Sequence, residues 1–185
     1  MSVRRQELAG VTELDPSMRI GLVGLLLLMS LIACNEKPAY SEDERILPFD
    51  SVDVRIVSNH DTVIVRVELA VTSEQKTLGL MERRRLSENA GMLFVYDSTQ
   101  APDAGFWMYR TRIPLDIAFI DSVGVIRAIL VMLPCETTIP EGCPTYPPKV
   151  PYRFALEMNA GFFQGHAVTV GGRLVLEDIP PRPRS

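Results

Sequence analysis

The sequence has few of the residues from which common functional sites are built. It contains two histidines, one tryptophan and three cysteines among 185 residues, and it shows no nucleophile motif and no phosphate-binding loop. Two isolated histidines do not make a histidine metal site, so no metal and no cofactor is predicted. Acidic groups outnumber basic ones and give a net charge of −4. Nucleic acid is therefore not expected as a partner, because phosphate binding needs a clustered basic excess.

The chain also lacks an apolar run long enough to cross a bilayer as a helix. The run from Ile20 to Ala33 has 14 residues, and Arg19 precedes it. A membrane-spanning helix needs about 20 residues, whereas this length suits the apolar region of a secretion signal. The run ends in Leu-Ile-Ala followed by Cys34, which resembles the lipobox of bacterial lipoproteins. Residues 1–33 are therefore predicted to be a lipoprotein signal peptide, and Cys34 the lipidated residue.

The alternatives for this segment are a plain signal peptide with an incidental cysteine, or an N-terminal membrane anchor. Translation could also begin at Met18, because acidic residues are unusual before such an apolar run. Lipidation at Cys34 would hold the domain at a membrane surface in the cell envelope. Asn35 after the cysteine favours the outer membrane, by resemblance to known sorting patterns.

Short polar segments flank the predicted domain. Residues 34–50 are acidic and contain two prolines, which is typical of a flexible tether. Residues 180–185 are proline-rich and are predicted to be a disordered tail. Residues 51–179 remain as one domain of ordinary size.

Alternating apolar residues predict that this domain is mainly β. Residues 63–69 alternate with period two, and residues 52–57 are expected to pair with them as a hairpin through the turn at 58–61. Thr72 and Gln75 have capping-box spacing, which predicts a helix over 74–81. The other predicted elements are strands at 92–96, 106–110, 115–120, 125–132, 152–158 and 173–177, and a helical turn at 161–164. Short strands with one or two short helices favour a small β-sandwich or barrel over a parallel α/β sheet.

Four segments in order resemble the family known as domain of unknown function 192. They are TLGLM at 77–81, NAGMLFV at 89–95, FWMYRTRIPLDIAFID at 106–121, and CPTY at 143–146 leading to LEMNAG at 156–161. Arg110 stands where the resemblance leads us to expect a lysine. The resemblance implies a small β-rich fold over roughly residues 63–177, and it implies no activity.

The two remaining cysteines, Cys135 and Cys143, lie in a proline-rich loop at 133–151. A disulfide is the natural interpretation in a chain predicted to be exported to an oxidising compartment. Redox activity and metal binding are the alternatives, although the spacing is not that of a C-x-x-C motif and two thiolates do not complete a zinc site.

Asp116 is expected to be buried, because it lies in a strand that is apolar on both faces. A buried carboxylate needs a partner, and Arg110 or Arg112 is the expected one. The ion pair would be structural, or Asp116 could be a ligand-binding or catalytic acid. If Glu157 in the strand at 152–158 faced the same pocket, the two carboxyls could form the acid and base of an envelope hydrolase.

The sequence thus predicts a lipid-anchored envelope protein that is a small binding or accessory module. Its hypothetical pocket contains Trp107, Arg110, Asp116, Glu157 and Asn159, with Trp107 stacking on a flat ligand unless it is simply buried. The expected partners are the membrane, through Cys34, and an unidentified small ligand or envelope component. Methionines could bind cuprous ion, but they more often fill cores; those considered are Met81, Met92, Met108, Met132 and Met158. The hydrolase is the alternative function, and a purely structural protein is the third possibility.

Overall fold

The structure is a computed structural model that describes residues 48–58, 61–137 and 139–180. The chain divides into two units, residues 1–45 and 46–185, and every described residue belongs to the second. The predicted signal peptide, the lipidation site Cys34, the tether up to residue 47, part of the turn at 58–61 and the tail from residue 181 lie outside the described residues.

The described residues form nine strands, two short α-helices and two 3-10 turns. The predicted mainly β class is confirmed. The elements are β1 (Ser51–Val57), β2 (Thr62–Ala70), α1 (Ser73–Leu78), β3 (Ala90–Gln100), β4 (Phe106–Trp107), β5 (Leu115–Ile120), β6 (Ile126–Met132), β7 (Thr145–Tyr146), β8 (Tyr152–Asn159), α2 (Phe162–Gly165) and β9 (Arg173–Leu174), with 3-10 turns at Pro140–Gly142 and Leu176–Asp178.

Seven of the strands form one sheet in the order β6-β5-β8-β3-β2-β1-β9, and β4 pairs with β7 separately. At one end of the sheet, Arg173 of β9 also bridges to Val125, which precedes β6 at the other end. The two ends of the sheet therefore approach each other, and the sheet curls into a half-barrel.

The predicted hairpin of β1 and β2 is present, with Val54 opposite Val65. All sheet pairs are antiparallel except β2 with β3, which run parallel. A parallel pair needs a crossover connection, and here it contains α1. The capping box of α1 is present as predicted, but the helix ends at Leu78 because Gly79 takes a φ of +49°.

Both faces of the central strands are buried. Leu93, Ala118 and Leu156 belong to one apolar cluster, and Met92, Ile117 and Ala155 belong to another on the opposite face. All six residues of β5 are buried, as the sequence predicted for a strand that is apolar on both sides.

Two predicted strands are shorter than expected. The strand at 106–110 ends at Trp107, since the chain turns at Arg110, which has a φ of +55°. A residue with that φ cannot continue a strand. The strand at 173–177 ends at Leu174 and passes into the 3-10 turn at 176–178.

Candidate functional site

Glu157 is a buried carboxyl in the middle of the sheet. It lies on β8 opposite Ile117 of β5 on one side and Met92 of β3 on the other. Cross-strand neighbours share a face of the sheet, so Glu157 emerges among apolar side chains. Only 4% of the residue is exposed. Burial raises its pKa to about 8, because removal from water disfavours the charged form.

The Glu157 carboxyl lines a small cavity, called here the Glu157 cavity. Its volume is about 30 Å³, enough for about two water molecules. The other lining residues come from the segment around the end of α1, from β3, and from β4 with the turn after it: Lys76, Thr77, Leu78, Gly79, Leu80, Met81, Phe94, Phe106, Trp107 and Thr111.

The two residues of β4 point in opposite directions, as expected for a strand. The Phe106 ring packs edge to face against Phe94, with centroids 4.9 Å apart, and the partly buried Phe106 packs against the cluster around Met92. Trp107 is 39% exposed, and its ring lies 5.5 Å from that of Tyr109 at a tilt of 35°. Trp107 therefore offers an exposed aromatic surface beside the cavity.

Pairing with β7 holds Trp107 in place. Trp107 lies opposite Thr145, and Gly105 packs directly against the backbone of Pro147. A Cβ at residue 105 would lie 2.8 Å from the Pro147 nitrogen, so the close approach of the two segments requires glycine there.

The predicted ion pair of Asp116 with Arg110 or Arg112 is wrong. Arg110 and Arg112 both bind the carboxylate of Glu82, with Arg110 Nε 2.6 Å from Glu82 Oε1. The two arginine side chains are about half exposed. The Glu82 N–H also donates to the Arg110 carbonyl at 2.8 Å. Since Glu82 follows Met81 and Arg110 precedes Thr111, this ion-pair group lies beside the lining of the Glu157 cavity.

Asp116 faces the other side of the sheet. It lies opposite Met158 of β8, one position from Glu157, and successive residues of a strand point to opposite faces. Its Oδ2 accepts a hydrogen bond of 3.3 Å from the Phe163 N–H in α2, and its Oδ1 has no hydrogen-bond partner among the described residues. The predicted acid and base pair of a hydrolase is therefore wrong.

Asn159 does not join the Glu157 cavity either. Its Nδ2 donates to the carbonyls of Leu86 and Ser87, at 3.3 and 3.0 Å, so the side chain secures the loop before β3. It lines a separate open depression together with Gly161 and His166.

Of the five residues in the hypothetical pocket, Trp107 and Glu157 are brought together, and Arg110 lies in the turn beside them. Thr111, Phe94 and the segment at 77–81 also line the cavity and were not predicted as site residues. One signal could have found them, because the segments that carry the family resemblance each contribute to this cavity: 77–81, 89–95, 106–121 and 156–161. Family motifs that are far apart in the sequence can come together in the fold and form one site.

Cys135 and Cys143 form the predicted disulfide, with their Cα atoms 5.7 Å apart. The five methionines considered for copper do not all lie on one face of the sheet, because Met158 belongs to the cluster around Leu156, whereas Met92, Met108 and Met132 belong to the cluster on the opposite face. In the part of the chain that the structure describes, no group of three or more histidine, cysteine, aspartate or glutamate residues could hold a metal ion. None of the described helices is long and apolar enough to cross a membrane.

Comparisons with known proteins give a family and a fold. The profile of a family named DUF192 and described as "Uncharacterized ACR" matches residues 55–176. Two of the similar crystal structures are as follows. One is a candidate transcription regulator from Sinorhizobium meliloti 1021, with 33% identity, a TM-score of 0.62, and coverage of 70% of this chain and 95% of that one. The other is a protein of unknown function from Novosphingobium aromaticivorans DSM 12444, with 26% identity, a TM-score of 0.57, and coverage of 71% and 89%. No curated protein matches the chain.

Proposed function

The chain belongs to the DUF192 family of uncharacterised proteins, and we propose that it binds a small ligand in the Glu157 cavity. The proposed location is the cell envelope, where the protein is held by a lipid anchor. Cys34 is the proposed anchor, in the outer membrane by preference, and the β domain is a binding or accessory module. The description of the Sinorhizobium neighbour as a candidate regulator concerns that protein. The net charge of −4 does not favour nucleic acid as a partner here.

One observation carries the binding proposal: a buried carboxyl lines a cavity beside an exposed tryptophan. Burying Glu157 among apolar side chains costs stability, and the raised pKa shows that this cost is not removed by a neighbouring cation. Perturbed carboxyls that line cavities are typical of functional sites. The cavity is much smaller than the pockets that enclose whole small ligands, so it can take one group of a ligand while the rest of that ligand lies outside.

A thermal-shift screen of the purified chain tests the binding proposal. The ligands are envelope sugars, cell-wall fragments, and copper and zinc ions. A ligand at one hundred times its dissociation constant stabilises the folded state by about 2.7 kcal/mol, which raises the melting temperature by several degrees. Thr111→Val should reduce the rise, since it removes a hydroxyl from the cavity lining. If no compound raises the melting temperature, the binding proposal falls.

Metabolic labelling with a fatty acid tests the anchor. The chain should incorporate the label and sediment with membranes, and Cys34→Ser should abolish both. Cys143→Ser is the matched control, because Cys143 is predicted to be outside the lipidation site and should leave labelling intact. Labelling that survives in Cys34→Ser would contradict the lipoprotein proposal and favour a plain signal peptide or membrane anchor.

A further inference from the structure

We infer that the ligand is a carbohydrate: the Glu157 cavity takes one hydroxyl or hydroxymethyl group of a sugar, and the sugar ring lies against the exposed face of Trp107. This inference rests on the proposed binding function and specifies the chemical class of its ligand. Three features of the site support it, namely the size of the cavity, its hydrogen-bonding groups and the position of the tryptophan.

The size of the cavity limits what can enter. About 30 Å³ accommodates roughly two waters, so a sugar ring or a nucleobase is too large for it. A hydroxyl or hydroxymethyl group is small enough. The rest of such a ligand must remain outside the cavity, where Trp107 is 39% exposed.

The polar groups of the cavity suit a hydroxyl. A neutral carboxyl both donates and accepts hydrogen bonds, and so does a hydroxyl. Glu157 is mainly neutral at pH 7, because burial raises its pKa to about 8. Thr111 is buried, and among the described residues its Oγ1 makes one hydrogen bond, a long one of 3.5 Å that it donates to the Tyr109 carbonyl. Thr111 therefore retains acceptor capacity for a second hydrogen bond to the ligand.

The other charged and titratable groups near Glu157 do not take over this role. Lys76 also lines the cavity, but its Nζ donates to the Val71 carbonyl at 2.8 Å and lies over the Tyr96 ring. Burial raises the pKa of Tyr96, and the charge of Glu157 adds to that shift, so Tyr96 stays a neutral phenol. From β5, the neighbouring residues Ile117 and Phe119 are apolar.

The aromatic surface suits the apolar face of a sugar ring. Trp107 and Tyr109 lie close together at a tilt of 35°, so the two rings form a short, partly exposed surface. Stacking on an aromatic ring removes the C–H face of a sugar from water while its hydroxyls remain available for hydrogen bonds. The exposed arginines beside the cavity are held by Glu82, which reduces their attraction for an anionic ligand.

Fluorescence of Trp107 measures binding directly, because it is the only tryptophan of the chain. The detergent-solubilised full chain is titrated with the trisaccharide of N-acetylglucosamine, with cellotriose, and with methylammonium as the cationic probe. A saturable change with a sugar, absent with its permethylated form, is the expected result. The affinity should fall about tenfold between pH 7 and pH 9, since only about a tenth of a group with a pKa of 8 is protonated at pH 9.

Three variants test whether the group that enters the cavity is a sugar hydroxyl. Glu157→Gln keeps a donor and an acceptor without a charge, so its affinity should be the same at pH 6 and pH 9. Thr111→Val should weaken sugar binding several-fold. Asp116→Asn is the matched control, because Asp116 lies on the neighbouring strand but faces the other side of the sheet. It should bind the sugar as the unchanged chain does.

Two results would overturn the inference in distinguishable ways. Saturation by methylammonium, with an affinity that rises with pH and no response to sugars, would show that Glu157 binds a cation as a carboxylate. The proposed binding function would then stand, but the inference that the ligand is a carbohydrate would be wrong. If no probe changes Trp107 fluorescence and the thermal-shift screen also finds nothing, the binding function and the inference both fall.

Discussion

Asp116 and Glu157 lie one register step apart on neighbouring strands, and their side chains leave the sheet on opposite faces. Asp116 is opposite Met158, whereas Glu157 is opposite Ile117. Both are almost completely buried, at 3% and 4% exposure. The sheet backbone separates the two carboxyls, so they cannot act together on one substrate. Each must be tested for a role of its own.

Asp116 is expected to stabilise α2. Its Oδ2 accepts the Phe163 N–H, and Asp116→Ala would leave that buried donor without a partner. The substitution should lower the free energy of unfolding by roughly 1 to 3 kcal/mol, measured by urea denaturation. Asp116→Asn keeps an acceptor oxygen and should cost less. Equal losses for both variants would show that this hydrogen bond does not account for the loss of stability.

The sequence predicted the strands better than it predicted the site, for physical reasons. Period-two alternation reports burial, so it located β2 and β5 with little error. It also predicted that Asp116 is buried. It could not give the cross-strand register, which depends on contacts between distant segments and decides whether Asp116 and Glu157 share a face. The parallel pairing of β2 with β3 could not be predicted either, because it also depends on contacts between distant segments.

The arginines illustrate a second limit. Arg110 and Arg112 lie close to Asp116 in sequence, which suggested an ion pair. The left-handed φ of Arg110 turns the chain away from the strand, and both side chains reach Glu82 about 30 residues earlier. Sequence proximity does not show where a turn directs its side chains.

Glu157 should make the stability of the protein fall as the pH rises. Its folded pKa of about 8 exceeds the value of 4.5 for an exposed glutamate, so the folded state holds the proton more tightly. Between these two pH values the unfolded chain binds fewer protons, and the free energy of unfolding should drop by up to about 5 kcal/mol. Above pH 8 this contribution is constant. Urea denaturation from pH 4 to pH 9 measures it.

Glu157→Gln is the control for that measurement, because it does not titrate. The difference in unfolding free energy between the variant and the unchanged chain should grow in favour of the variant from pH 4.5 to pH 8. A difference that is independent of pH would show that the Glu157 carboxyl titrates as an exposed group does.

The disulfide should stabilise the loop between β6 and β8. Cys135 and Cys143 are eight residues apart. Closing a loop of this length lowers the entropy of the unfolded chain, which stabilises the folded state by about 2 to 3 kcal/mol. Cys135→Ser should lower the urea midpoint, and reductant should have the same effect on the unchanged chain. Reductant should not destabilise Cys135→Ser further. If reductant leaves the midpoint of the unchanged chain where it was, the cysteines are not bonded in solution.

Gly91 should be the most sensitive glycine of the sheet, because β8 packs directly against it. A Cβ added at Gly91 would clash with the carbonyl oxygen of Glu157 and the sulfur of Met158. The backbone carbonyl cannot rotate away, so Gly91→Ala should lower the free energy of unfolding by roughly 2 to 3 kcal/mol. Gly165→Ala is the matched control, since a Cβ there meets nothing within 4 Å. A helix position should even favour alanine slightly. The clash can be relieved only if β8 moves at Glu157 itself. Gly91→Ala should therefore also lower the affinity of the Glu157 cavity for its ligand. Equal stability of the two variants in urea would contradict the packing of β3 against β8 described above.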